Sequence, residues 1–299
     1  FLEEFQGVTS QQLSRVLETI VHMDAPPKGE WEILIVDNGS SDDTKRVVES
    51  FADRLPIRWV SEPVPGLSNA RNKAVDEALG DYICWTDDDV KVGAGWLSGY
   101  HEAFLRRPDA VVFGGPIEPE FEGVPPAWLI ENRSIMSHLL AERDFGPKEV
   151  ELSPETLPYG ANFAVRRHEM KSHRFNPALG VGPGVNRLGE ETEVLAAMLK
   201  EGKGFWVPTA GVRHVIPQAR QTLAYVERYN RAGGETWAYQ NFIRDNQKKK
   251  FPFWALKGAI IKTIFLQLGR LRGKQVSPQV VSELGYAKGV LGFYFRVVP

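Results

Sequence analysis

The residues best able to do chemistry are Asp87, Asp88 and Asp89, three consecutive carboxylates after an apolar run at residues 81–86 (DYICWT). Adjacent carboxylates repel one another, and drawing them out of water costs solvation. A solvated acidic turn avoids that cost. At the end of a buried strand, a hard divalent cation relieves it and commonly holds substrate phosphates as well. Asp37-Asn38-Gly39 ends a second apolar run, residues 31–36 (WEILIV). Glu190 and Glu191 open a stretch of helical spacing, residues 190–200, where the positive end of the helix dipole favours carboxylates. Arg71 offers a guanidinium suited to phosphate oxygens, or a plain surface charge.

Particular elements must carry these groups. Residues 10–23 place Leu13, Val16, Leu17, Ile20 and Val21 at helical spacing. Helices are also predicted over 42–51, 67–79, 95–106, 128–141 and 190–200, and strands over 31–36, 57–60, 81–86, 110–114, 205–207 and 212–215. Residues 116–158 otherwise read as irregular. From 222 onward the pattern is helical, with breaks expected at Gly233-Gly234, Pro252, Gly273 and Pro278. Strands alternating with helices predict an α/β fold with a mainly parallel sheet flanked by helices, followed by a C-terminal helical extension. In such sheets ligands bind beyond the carboxyl ends of the strands, where Asp37 and Asp87–Asp89 both fall. The expected division is a catalytic domain at 1–218, with nucleotide binding over about 1–115 and the acceptor and base part over about 116–218, and a helical region at 219–299.

The motifs, taken in order, resemble the family 2 glycosyltransferases of the GT-A fold, of non-processive bacterial type. Residues 35–44 (IVDNGSSDDT) are similar to the family's strand-and-turn motif. Residues 66–72 (GLSNARN) are similar to its Gly-x-x-x-Ala-Arg-Asn helix start, and 80–89 (GDYICWTDDD) to the strand ending in Asp-x-Asp. Residues 159–163 (YGANF) and 189–193 (GEETE) resemble its acceptor-side segment and its base-bearing helix. The resemblance implies a metal-dependent, inverting transfer of a sugar from a nucleotide-diphosphate donor, with UDP favoured, to a glycan or lipid-linked hydroxyl in cell-surface polysaccharide or glycoconjugate synthesis. It implies Asp89 and His214 as ligands of Mn2+ or Mg2+, and Thr9, Asp37, Asn38, Arg71, Asp87 and Asp88 as nucleotide-sugar contacts. It places Tyr159 and Asn162 on the acceptor side and makes Glu191 the base, with Glu190 as runner-up. Where the family usually has Asp, this chain has Glu191. Residues 1–10 (FLEEFQGVTS) show only a poor first strand, with Thr9 as the remnant of its base-holding turn. A nucleotidylyltransferase would need a Gly-rich phosphate loop with a Lys near the start, and none is visible. A non-catalytic nucleotide- or sugar-binding protein of the same fold is the other alternative.

Composition adds a partner. The 299 residues carry a net charge of −2 that conceals two opposed halves. From Arg244 to Pro299 there are 11 Lys/Arg against Asp245 and Glu283, so the tail is +9 and the remainder −11. Apolar, aromatic and basic residues interleaved over 251–296 suit a helix at an anionic membrane surface. A helical hairpin packed on the catalytic domain or on a second subunit is the alternative, and would allow a homo-oligomer. No nucleic-acid signature accompanies the charge. No run reaches the roughly 20 apolar residues of a membrane span. The expected location is cytoplasmic, peripheral at the inner face of the cell membrane. The single cysteine, Cys84, excludes a disulfide within the chain and reads as a core residue.

Overall fold

The computed structural model describes residues 10–24, 31–244, 250–272 and 275–297. Thr9, Lys248, Lys249 and Lys274 lie outside them. The chain forms two compact units. One comprises Phe1–Glu120, Leu140–Gly184 and Gly189–Val215, and the other Phe121–Leu139, Val185–Leu188 and Ile216–Pro299. The second unit therefore takes in two segments that the expected boundary near residue 218 leaves in the first. Hydrogen bonds within that unit explain why. Gln221 donates to the carbonyls of Glu122 and Ile216, the Tyr229 hydroxyl to that of His138, and Leu188 N to Thr236 Oγ1.

In the first unit the elements run α1 (Ser10–Val21), β1 (Ile33–Asp37), α2 (Thr44–Ser50), β2 (Ile57–Ser61), α3 (Leu67–Glu77), β3 (Tyr82–Thr86), β4 (Val90–Val92), α4 (Trp96–Arg106), β5 (Ala110–Gly114) and β6 (Ile117–Phe121). After α5 (Ala127–Glu131), which belongs to the second unit, come β7 (Asn162–Arg166), α6 (Arg167–Met170) and β8 (Gly180–Gly182). Past β9 (Val185–Arg187) of the second unit follow α7 (Glu190–Glu201), β10 (Lys203–Trp206) and β11 (Val212–Ile216).

The α/β class and its flanking helices are as expected, but the strand directions are mixed rather than mainly parallel. β1 and β2 run parallel, and so do β10 and β5. The largest sheet has the order β10-β5-β7-β3, and β7 is antiparallel to both of its neighbours. A third sheet has the order β4-β11-β6, with β4 and β11 antiparallel. The cause is β7, a short strand inserted between two that would otherwise be parallel. Its residues 162–165 are buried, and Phe163 stacks on Trp85 of β3 with ring centroids 5.7 Å apart. Leu13, Val16, Leu17 and Ile20 form the buried stripe of α1. Cys84 packs beside the same core, and burial pushes its thiol up to about 12, which leaves it inert.

In the second unit, α8 (Leu223–Tyr239) is capped by Thr222, whose Oγ1 accepts from Tyr225 N at 3.2 Å; α9 (Phe253–Leu271) and α10 (Pro278–Val297) follow. Gly233-Gly234 does not break α8. A Cβ on Gly234 would strike the Tyr286 carbonyl, and Gly285 and Gly289 of α10 face the carbonyls of Glu227 and Arg231 as closely. Glycine is needed there because two helix backbones touch. The helix expected at 128–141 shrinks to α5 and is followed by turns.

Candidate active site

The acidic cluster leaves the end of β3 and turns at once into β4. Val215 N donates to the Asp89 carbonyl at 2.9 Å, and His214 lies opposite Val90 in the β11–β4 register. This brings His214 Nε2 within 3.3 Å of Asp89 Oδ2, with both side chains buried. His214 Nδ1 is 2.9 Å from the Leu140 carbonyl. A carbonyl only accepts, so Nδ1 donates to it, and in a neutral ring Nε2 is left with the lone pair. A lone pair and a carboxylate oxygen at this distance repel unless a positive charge joins them, either a second proton on the ring or a metal ion. Among the described residues no three His, Cys, Asp or Glu side chains converge to hold a metal unaided.

Arg71 projects from α3, whose start is set by Gly66 at a φ of 128°. The guanidinium is buried, 2.8 Å from Glu190 Oε1, 3.7 Å from Asp87 Oδ1 and 5.5 Å above the centre of the Phe175 ring. Gly189, at a φ of 90°, turns the chain into α7 and presents Glu190 and Glu191. A Cβ on Gly160 would lie 3.1 Å from Arg71 Nη2 and 3.7 Å from Glu191 Cδ, so the bare glycine leaves a gap edged by both charges. Burial raises the Asp87 carboxyl, opposed by Arg71 and reinforced by Asp89 and Glu191. Burial likewise raises Glu190 to about 8, with Glu191 adding and Arg71 opposing. The site thus gathers carboxylates faster than Arg71 can balance them, which suits it to a cationic or protonated occupant.

Two asparagines expected to touch ligand have other tasks. Asn38 Nδ2 donates to the Glu62 and Val64 carbonyls, each at 2.8 Å, and its Oδ1 accepts from Gly66 N at 2.6 Å. The side chain clamps the loop that leads into α3, and so positions Arg71. Asn162 is fully buried, its Oδ1 accepting from Trp96 Nε1 and the Tyr100 hydroxyl and its Nδ2 donating to the Pro116 and Ala210 carbonyls. No hydrogen-bonding capacity remains for an acceptor. Asp37 Oδ1 accepts from Ser40 N at 2.8 Å, which shapes the turn after β1, and Asp88 is buried. The Tyr159 hydroxyl meets Arg143 Nη1 at 3.4 Å, and the Arg143 guanidinium lies 4.6 Å from the Tyr159 ring centre. Arg143 carries no signal in the sequence; Gly160 falls in the 159–163 motif, but nothing there shows that it opens a gap beside Arg71 and Glu191.

A nucleotide-type α/β fold with carboxylates gathered at its strand ends defines the class. The family profile described as Glycosyl transferase family 2 matches residues 8–170, more than half the chain. The chain belongs to that family and is a glycosyltransferase. It is 25% identical over 240 residues to the succinoglycan biosynthesis protein ExoM of Rhizobium meliloti, covering 75% of this chain and 70% of that protein. It is also 25% identical over 158 residues to the glucosyl-dolichyl phosphate glucuronosyltransferase of Haloferax volcanii, covering 52% of this chain and 48% of the relative. Among solved structures, S. aureus TarS 1-349 aligns with a TM-score of 0.53 at 15% identity, covering 97% of this chain and 88% of the other. The mannosyltransferase PcManGT from Pyrobaculum calidifontis, in complex with GDP-Man and Mn2+, aligns at 0.54 and 16% identity, over 99% and 72%. At these identities the structures establish the GT-A fold.

Proposed function

We propose that the protein transfers a sugar from a nucleotide-diphosphate donor, a UDP-sugar by preference, to a hydroxyl of a glycan or lipid-linked acceptor, with inversion at the anomeric carbon. The observation that carries this reading is the convergence of Arg71 in the second turn of α3, Asp87 just past β3, and Glu190 and Glu191 at the start of α7. Burial raises Glu190 to about 8 and Arg71 engages it at 2.8 Å, so the base in this reading is Glu191, with Glu190 as runner-up. The Glu191 carboxylate takes the proton of the acceptor hydroxyl. The freed oxygen bonds to the anomeric carbon while the bond from that carbon to the diphosphate oxygen breaks, and its electron pair leaves with the nucleoside diphosphate. Arg71 lies where it can turn from Glu190 toward the departing phosphates. Asp37 and Asp87 contact the nucleoside side of the donor.

The facing Asp89 carboxylate and His214 lone pair fit two ligands of a divalent ion, Mn2+ or Mg2+, whose remaining positions would fall to diphosphate oxygens. Such an ion would supply Lewis-acid neutralisation of the leaving diphosphate. The relatives' names support the choice of product. ExoM is a succinoglycan biosynthesis protein and TuaG of Bacillus subtilis a putative teichuronic acid biosynthesis glycosyltransferase, so a cell-surface polysaccharide is the proposed end use. TarS 1-349 is known in complex with UDP and with UDP-GlcNAc, which favours UDP. Transfer takes place at a membrane surface, where a lipid-linked acceptor resides. The test is a thermal-shift panel of UDP-, GDP- and dTDP-sugars with and without Mn2+. A UDP-sugar with Mn2+ should raise Tm more than either alone. If no nucleotide sugar moves Tm under either condition, the reading fails.

A further inference from the structure

Helix α9 leaves most of its apolar surface uncovered. The side that touches protein carries Ala255 and Ala259, which pack with Ala238, Phe242, Ala287, Val290 and Phe293, and Trp254, whose ring lies 5.2 Å from that of Trp237 and 6.3 Å from that of Tyr286. Steps of about 100° per residue put Ile261, Ile264, Phe265, Leu268 and Leu271 in one arc of roughly 120° on the opposite side. All five are exposed, Leu271 to 84% and Phe265 to 66%. So large a patch on a soluble surface marks a contact. No helix among the described residues is long and apolar enough to cross a membrane, so the arc does not belong to a span.

The charges select the occupant. From residue 246 to 282 the chain carries eight Lys/Arg and no Asp or Glu. Lys250, Lys257 and Arg272 are exposed around the arc. Glu283, the next acid, is held by Lys262, and Glu227 and Glu235 are taken by Lys288 and Arg296. A second copy seated on this face would set one basic segment against another, with no acid on the arc to offset it. An anionic bilayer offers the opposite charge to the lysines and hydrocarbon to the arc.

We propose that α9 is an interfacial anchor. It lies parallel to an anionic membrane, with the arc from Ile261 to Leu271 sunk about 5–10 Å into the boundary between headgroups and acyl chains. Lys257 reaches from the arc to the headgroups along its alkyl stem. This deepens the proposed membrane location by naming the element that makes the contact, and it rests on that reading.

The experiment is flotation of the full chain with phosphatidylcholine vesicles, with and without about 30% phosphatidylglycerol. Binding should require the anionic lipid and weaken with salt. The double variant Ile264→Glu, Leu268→Glu should lose at least tenfold in partitioning while keeping the Tm and circular dichroism of the wild type, since neither residue is buried. The conservative pair Ile264→Leu, Leu268→Ile should bind as the wild type does. Equal binding to neutral vesicles, or undiminished binding by the double Glu variant, overturns the proposal. So does a wild-type dimer that sediments as monomer in that variant, since a second copy would then be the occupant. Vesicle binding needs no donor and no turnover. Its failure leaves the catalytic reading standing, and loss of donor binding by the wild type sinks that reading alone.

Discussion

Replacing Glu190 by Gln should flatten the pH dependence of stability, in a direction opposite to that of an ordinary ion pair. In the unfolded chain the Glu190 carboxyl titrates near 4.5, and in the fold burial and the Glu191 charge raise it to about 8. Between those values the folded protein holds a proton that the unfolded chain has lost. Stability from this group is therefore fully present below pH 4.5, falls by about 1.4 kcal/mol per pH unit, and is gone above pH 8. The interval from 4.5 to about 8 makes the full loss about 5 kcal/mol. Relaxation and water entry around the charged form reduce it, so at least about 2 kcal/mol should be visible. The Gln side chain mimics the protonated acid and has nothing to lose. Urea unfolding of both proteins at pH 5, 7 and 9 in EDTA should show Glu190→Gln gaining on the wild type as pH rises. Parallel pH profiles would refute the reasoning. A variant that falls behind as pH rises would show that the pair with Arg71 outweighs burial.

Three further outcomes follow from the geometry. His214→Ala should weaken Mn2+-dependent UDP binding by tenfold or more while changing Mn2+-free binding far less, as isothermal titration will show; equal losses would remove His214 from the metal. Asn162→Ala strips partners from Trp96, Tyr100, Pro116 and Ala210 at once, and should cost about 3–5 kcal/mol in urea unfolding, far more than an acceptor contact would. Gly289→Ala drives a methyl into the Arg231 carbonyl and should lower stability by about 1–3 kcal/mol, with the helices of the second unit losing hydrogen-exchange protection first.

The sequence marks positions where composition must change abruptly. An apolar strand running into Asp87–Asp89, or helical spacing opened by Glu190-Glu191, shows in a single chain because the neighbouring residues have no other reason to alternate so. Strand direction leaves no such mark. Asn162–Arg166 (NFAVR) is five residues long, and only its placement between β5 and β3 makes the sheet mixed. Gly233-Gly234 looks like a break because glycine is a poor helix former, yet contact with α10 overrides that weak preference. Asn38 and Asn162 stand in the right motifs, but their hydrogen bonds are made to groups distant in sequence, which no spacing rule can identify. The Gly160 gap and Arg143 depend wholly on the tertiary arrangement.

In the proposed transfer from a nucleotide donor, everything turns on Glu191 taking the acceptor proton. The most direct measurement is nucleoside diphosphate release with a UDP-sugar, Mn2+ and a lipid-linked acceptor, by wild type and by Glu191→Gln. In the variant kcat should fall about 10²–10⁴-fold with donor KM little changed. Equal release rates with every acceptor tried would contradict it.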